Sequence, residues 1–233
     1  MDSPFTPLAD RMRPRRIEEM VGQDHLLGPN SVLMRAIQSG HLFSVILWGP
    51  PGSGKTTLAK LIAQYTQNPF QSFSAVTSGV KELRQIIDAA ERTRNLTGKP
   101  TILFVDEIHR FNKAQQDAFL PYVENGVIVL IGATTQNPSF EVIPPLLSRA
   151  RVMILRPLER EDLRKILDRA ITDEETGLGN LGVRVEEDAL AHLIELSSGD
   201  ARVALNNLEI AVEYVTGEGQ GPGVVDLANV EQA

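Results

Sequence analysis

Val45-Ile46-Leu47-Trp48-Gly49-Pro50-Pro51-Gly52-Ser53-Gly54-Lys55-Thr56 is the stretch on which the fold turns. An apolar run enters a glycine-rich turn matching G-x-x-x-x-G-K-[ST], and Thr57-Leu58-Ala59-Lys60-Leu61-Ile62 continues in a helical pattern. Strand, loop and helix in that order is the setting in which this motif binds phosphate. Glycines let backbone N–H groups converge on phosphate oxygens, and the helix that follows aims its positive end at the same anion. Gly49, Pro50, Pro51, Gly52, Ser53, Gly54, Lys55, Thr56 and the adjacent Thr57 are therefore the candidate nucleotide contacts. Lys55 would reach the β- and γ-phosphates, and Thr56 would ligate magnesium.

Outward from this loop, apolar runs recur at 102–105 (ILFV) and 127–131 (VIVLI), with weaker candidates at 70–76 and 152–155. Near-continuous apolar strands imply burial on both faces, as in a parallel sheet covered by helices. Helical patterns lie near 31–39, 55–66, 80–95 and 113–123. Alternation of this kind predicts an α/β fold with a five-stranded parallel sheet sandwiched by helices. After Pro157 no strong strand remains. Helices are expected near 160–172, 187–197 and 201–215, the last capped by Asp200, and GEGQGPG at 217–223 reads as a turn or link. The predicted organisation is a nucleotide-binding core over 1–157 and a small all-helical lid over 158–233.

Ile102-Leu103-Phe104-Val105 ends in Asp106-Glu107, a buried strand delivering adjacent carboxylates about 50 residues after the loop. Asp106 could hold the magnesium shell and Glu107 could orient or activate an attacking water. Binding alone does not need Glu107, so its presence favours hydrolysis. Asp106-Glu107-Ile108-His109 also spells a helicase-type box, but such helicases need two α/β lobes and this chain has room for one. His109 is read instead as a polar residue on the loop after the strand. A further run, Val127–Ala133, delivers Thr134-Thr135 to the same sheet edge, and Leu146-Leu147-Ser148-Arg149-Ala150-Arg151 offers arginines just beyond.

Composition removes other chemistries. The 233 residues contain no cysteine, which excludes disulfides, thiolate nucleophiles, iron–sulfur clusters and Cys-rich zinc modules. The histidines at 25, 41, 109 and 192 are isolated, so no metal-ligand cluster is expected. The start has no apolar signal region, and no apolar run approaches the ~20 residues of a membrane span, so a cytoplasmic protein without a membrane partner is expected. The net charge of −7 is unevenly distributed. Residues 1–158 hold 17 Lys+Arg against 13 Asp+Glu, while residues 159–233 hold 6 against 17. The acidity belongs to the lid and tail and does not count against a nucleic-acid partner.

The constellation resembles the AAA+ ATPases: GPPGSGKT is similar to Walker A, ILFVDE to Walker B, the ATT at 133–135 to sensor 1, SRA at 148–150 to an arginine-finger segment, and SGDAR at 198–202 to sensor 2. Longer strings, RMRPRRIEEMVGQDHLLG (11–28), AVTSGVKELR (75–84), DEIHRFNKAQQDAFLPYVENG (106–126), IGATTQNPSFEV (131–142) and GDARVALNNLE (199–209), are similar to the replication-associated recombination protein A family. The resemblance implies an ATPase using ATP and Mg2+, with Thr135 sensing water and γ-phosphate, Arg149 as a finger inserted into a neighbouring subunit's site, and Arg202 touching the γ-phosphate of its own site. Val21 and Gly22 fall where related ATPases cradle adenine. It also implies action at stalled or damaged replication forks, with single-strand/duplex DNA junctions, single-stranded-DNA-binding protein and recombination factors as partners, and a homo-oligomer built by a C-terminal region that this chain lacks. That departure suggests an excised ATPase module, monomeric and slow by itself. By analogy with clamp loaders, Thr77, Ser78, Lys81 and Arg84, then Arg110 and Lys113, are candidate DNA-backbone contacts. The rival readings are a clamp-loader subunit, a branch-migration motor, and a non-hydrolytic ATP-switch scaffold.

Overall fold

A computed structural model describes residues 6–74, 80–217 and 223–232. These form two compact units. One comprises Gln23–Pro50 and Gly54–Arg156; the other described residues, including 51–53 of the loop, group with the helices after Pro157. Among the described residues no helix is long and apolar enough to cross a membrane.

The first unit is built on a five-stranded parallel sheet, as the sequence predicts. Its strands are β1 (Ser44–Trp48), β2 (Phe70–Ser74), β3 (Thr101–Asp106), β4 (Ile128–Thr134) and β5 (Ala150–Ile154), in the spatial order β2-β3-β4-β1-β5. The three inner strands β1, β3 and β4 are buried nearly throughout, which is why they read as unbroken apolar runs. The edge strands β2 and β5 each bury a single residue, Phe73 and Met153, and so read as weaker apolar runs. Gly132 sits at the centre of β4 for a steric reason: a Cβ there would come 2.8 Å from Ile46 Cδ1 and 2.9 Å from Ile108 Cδ1.

One side of the sheet carries an aromatic cluster. Phe73 stacks on Phe111 at 5.4 Å, and Phe119 meets Phe111 and Phe73 edge-on at 5.8 and 6.4 Å. Beside it the buried amide of Gln116 is satisfied three times: Nε2 donates to the carbonyls of Phe111 (3.1 Å) and Glu141 (2.9 Å), and Oε1 accepts from Ile143 N (3.0 Å). At the end of β5 the buried Gln23 amide does similar work. It donates to Arg156 O at 2.9 Å and accepts from Arg156 N at 3.0 Å, while His25 Nε2 lies 2.8 Å from Ile154 O.

The helix expected over 113–123 is two short helices, Lys113–Asp117 and Leu120–Glu124. Pro121 is the cause, because it has no N–H to give to the carbonyl of Asp117 and is at home only in a first turn. The second unit also departs from expectation. Besides helices at Arg160–Thr172, Glu187–Ser197 and Ala201–Thr216 it contains a two-stranded parallel pair, β6 (Arg184–Val185) and β7 (Val224–Val225), where an all-helical lid was expected. Asp200 caps the helix at Ala201 as predicted, its Oδ1 accepting from Arg202 N (2.8 Å) and Val203 N (3.2 Å).

The N-terminal segment, expected within the core over 1–157, packs with the helices instead. Leu8 and Met12 are buried in a cluster with Leu163, Leu167, Leu208 and Val212, and both carboxylate oxygens of Glu209 accept from Leu8 N at 2.9 Å. Arg11 completes the attachment through an ion pair to Glu209 at 3.3 Å.

Candidate functional site

The strand register collects the predicted groups of the sheet unit at one edge. Trp48 pairs with Thr134, Val105 with Gly132, and Gly49 N donates to Thr134 O at 3.2 Å. The carboxyl ends of three neighbouring strands therefore deliver Asp106-Glu107, Thr134-Thr135 and the glycine loop side by side. Parallel α/β sheets bind ligands at this edge.

The loop needs its glycines for separate reasons. A Cβ on Gly49 would lie 2.5 Å from Leu155 O, and Gly54, the residue before the helix Lys55–Thr66, sits at φ +96°, a conformation that L side chains rarely adopt. The Lys55 side chain is buried, and its ammonium donates to Gly49 O and Pro50 O, both at 2.8 Å. A lysine folded against its own loop, at the start of a twelve-residue helix, fits a polyphosphate: the cation and the helix N-terminus favour the same anion. Thr56 opens this helix and Asp106 closes β3, supplying a hydroxyl and a carboxylate, the oxygen donors a magnesium ion takes.

Glu107 stands out in the backbone. Its φ of 50° and ψ of 50° are left-handed, uncommon for a side-chain-bearing residue and frequent at functional sites. Its Oε2 is buried and lacks a well-formed hydrogen bond, but lies 3.1 Å from His109 Nδ1. His109 Nδ1 is also 3.0 Å from the Thr134 hydroxyl. This histidine, expected from the sequence to be a polar residue on the loop, instead faces both strand ends. The Asp-Glu-Ile-His run was the available signal, and the partner 25 residues away was not.

The two threonines at the end of β4 differ. Thr134 is buried, while Thr135, the residue matched to sensor 1, is exposed. Arg149 lies on the same unit, half-exposed, its guanidinium 2.5 Å from Glu124 Oε1 and donating to Pro145 O and Ser148 Oγ at 2.9 Å. Val21, Gly22 and Arg202 belong to the other unit. Gly22 has φ +76°, and a Cβ there would meet Asp162 Oδ2 and Leu158 Cδ2 at 2.7 Å. Arg202 is exposed in the first turn of its helix. Of the candidate DNA contacts, Thr77 and Ser78 lie outside the described residues, as does the side chain of Lys81, whose backbone lies in the helix Val80–Thr97. Arg84, Arg110 and Lys113 are exposed.

A parallel sheet of this order, with a glycine loop after β1 and paired carboxylates after β3, defines a P-loop ATPase fold of the AAA type. Residues 45–158 match the AAA model, the ATPase family associated with various cellular activities, and residues 179–233 match the AAA C-terminal domain. The chain is 51% identical over 224 residues to replication-associated recombination protein A of Escherichia coli K12, covering 96% of this chain and 50% of that one. It is 45% identical over 209 residues to the ATPase WRNIP1 of Dictyostelium discoideum, covering 90% of this chain and 24% of that one. Among solved structures, the RuvB Holliday-junction branch-migration motor of Thermotoga maritima superimposes with a TM-score of 0.74 at 26% identity, over 95% of this chain and 72% of that one. The chain belongs to the replication-associated recombination protein A family of AAA ATPases. It spans about half the length of the bacterial relatives it matches.

Proposed function

We propose that this chain hydrolyses ATP to ADP and phosphate with magnesium, and that the hydrolysis serves DNA transactions at stalled or damaged replication forks. The observation that carries the hydrolytic reading is Glu107, a carboxylate held in a left-handed turn at the end of β3, on the same sheet edge as the start of the phosphate loop. The backbone of 49–55 and the Lys55 ammonium bind and orient the phosphates. Thr56 and Asp106 would hold the metal, which when bound would screen phosphate charge. Glu107 orients the attacking water and takes its proton, and Thr135 senses the same water. Positioning and charge stabilisation carry most of such a reaction, since the protein has little covalent chemistry to perform.

Arg149 and Arg202 take the finger and lid roles that the family resemblance implies. An arginine finger contributes roughly 10³–10⁵ in rate, so a finger acting in trans makes turnover depend on subunit contact. The test is ATP turnover against protein concentration. We expect kcat to rise with concentration and Arg149→Ala to abolish the rise, while Glu107→Gln binds ATP without turning it over. Concentration-independent turnover that survives Arg149→Ala would overturn the trans assignment.

The fork role is supported by the likeness to replication-associated recombination protein A, and branch migration is a second reading favoured by the likeness to the RuvB motor. DNA contact through the helix Val80–Thr97 rests on its exposed Arg84 and on Lys81. The Lys81→Glu/Arg84→Glu double variant should weaken salt-dependent DNA binding and leave nucleotide affinity unchanged. Unaltered DNA binding would remove that surface from the proposal. Single-stranded-DNA-binding protein and recombination factors are the proposed partners, engaged by a homo-oligomer.

A further inference from the structure

His109 is a titratable side chain at the reactive edge that the mechanism above leaves unused. It is only 11% exposed, and its Nδ1 lies between two oxygens, Thr134 Oγ1 at 3.0 Å and Glu107 Oε2 at 3.1 Å. The hydrogen-bond inventory around Thr134 decides which way the proton faces. Thr134 Oγ1 accepts from Gln136 N at 3.0 Å and lies 3.3 Å from Gln136 O, which takes the hydroxyl proton. One lone pair of that oxygen remains, and His109 Nδ1–H fills it. The opposite tautomer would turn an Nδ1 lone pair toward a carboxylate oxygen that is already buried without a well-formed bond. Only the Nδ1–H form donates to the Thr134 oxygen and at the same time turns a positive edge rather than a lone pair toward Oε2, 3.1 Å away.

We propose that His109 is a positioning residue for hydrolysis: its Nδ1–H, anchored on the Thr134 hydroxyl at the end of β4, holds Oε2 of Glu107 so that the other carboxylate oxygen faces the attacking water. The geometry explains how the carboxylate keeps one orientation in a left-handed turn. It also ties the strand end that carries the water-activating residue to the strand end that carries Thr135. This inference rests on the hydrolytic reading of Glu107.

The test separates the two. In this chain, Glu107→Gln should abolish turnover with ATP affinity intact. His109→Phe fills the same space without a donor, and should lower kcat roughly ten- to hundredfold, part of the 10²–10⁴ that general-base catalysis contributes. ATP affinity and the melting temperature should not move. Asparagine places its amide nitrogen at the Nδ1 position, one bond from Cγ, so His109→Asn should recover most of the loss; His109→Gln, whose nitrogen lies one bond further out, should not. Nitrogen-15 NMR of histidine-labelled protein should find the His109 proton on Nδ1. Wild-type turnover in His109→Phe, equal rates in the Asn and Gln variants, or a proton on Nε2 with none on Nδ1 would each overturn the proposal. If His109→Phe fails to fold, the Asn and Gln pair and the tautomer decide. Wild-type turnover in Glu107→Gln would sink the parent reading first, without reference to any His109 variant.

Discussion

The two units share both kinds of polar contact, as Arg149–Glu124 and Glu209–Leu8 N show, but weight them differently. In the sheet unit the consequential polar side chains turn inward and bond to backbone: Lys55 to the carbonyls of Gly49 and Pro50, Gln116 to Phe111, Glu141 and Ile143, and Gln23 to Arg156. In the helical unit, charged side chains pair with each other at the surface. Arg164 bridges Asp168 and Glu187, and Arg160 meets Glu195 at 2.8 Å. These pairings leave a titration signature: hydrogen bonds to Glu187 and Asp168 raise the Arg164 guanidinium, and the arginine partners hold Glu187 and Glu195 below the usual carboxylate range. The lesson concerns what each unit must hold still. Buried side-chain-to-backbone bonds fix geometry at a reactive edge, whereas exposed ion pairs contribute little and are screened by salt.

That contrast can be broken at its strongest point first. Phe119→Ala removes a fully buried ring from the aromatic cluster and should cost about 3–5 kcal/mol in denaturant unfolding. A loss below 1 kcal/mol would mean that this side of the sheet is not rigidly packed. In the helical unit Asp200→Ala removes the cap of the helix at Ala201 and should cost about 1 kcal/mol, with Asp200→Asn retaining most of it. The smallest effect is expected at Asp173. Its Oδ1 accepts from Glu175 N and Thr176 N, both at 2.8 Å, and these backbone bonds, Thr176 foremost, hold its pKa below the ordinary value. A depressed carboxylate stabilises the fold above its unfolded pKa, and the contribution disappears as pH falls through the lowered folded value. Asp173→Asn should therefore differ from the parent in melting temperature at neutral pH and converge with it in acid.

What could be read from the sequence follows the same divide. The inner strands and the helices at 55–66, 160–172 and 187–197 were visible with nearly correct limits, because burial imprints a local pattern on neighbouring residues. The break at Pro121 was readable in principle, since proline's missing N–H is a local fact. The β6–β7 pair was not: two residues against two, joining segments some forty positions apart, carry no periodicity. The attachment of Leu8 and Met12 to the helical cluster is equally non-local. At the site, the loop and the carboxylate pair were legible as motifs. The His109–Thr134 contact depends on a left-handed turn at Glu107 and on sheet register, and neither is written in the spelling.

Gln23 has a consequence beyond its own two hydrogen bonds. Leu155 N turns inward to Trp48 O, so Arg156 faces its amide and carbonyl away from β1, and the Gln23 side chain occupies both as a substitute peptide unit. His25 lies against the carbonyl of Ile154. A stretch of sheet margin that would otherwise recruit a foreign strand is thus plugged by the chain itself, which guards against edge-to-edge aggregation at the cost of one buried amide.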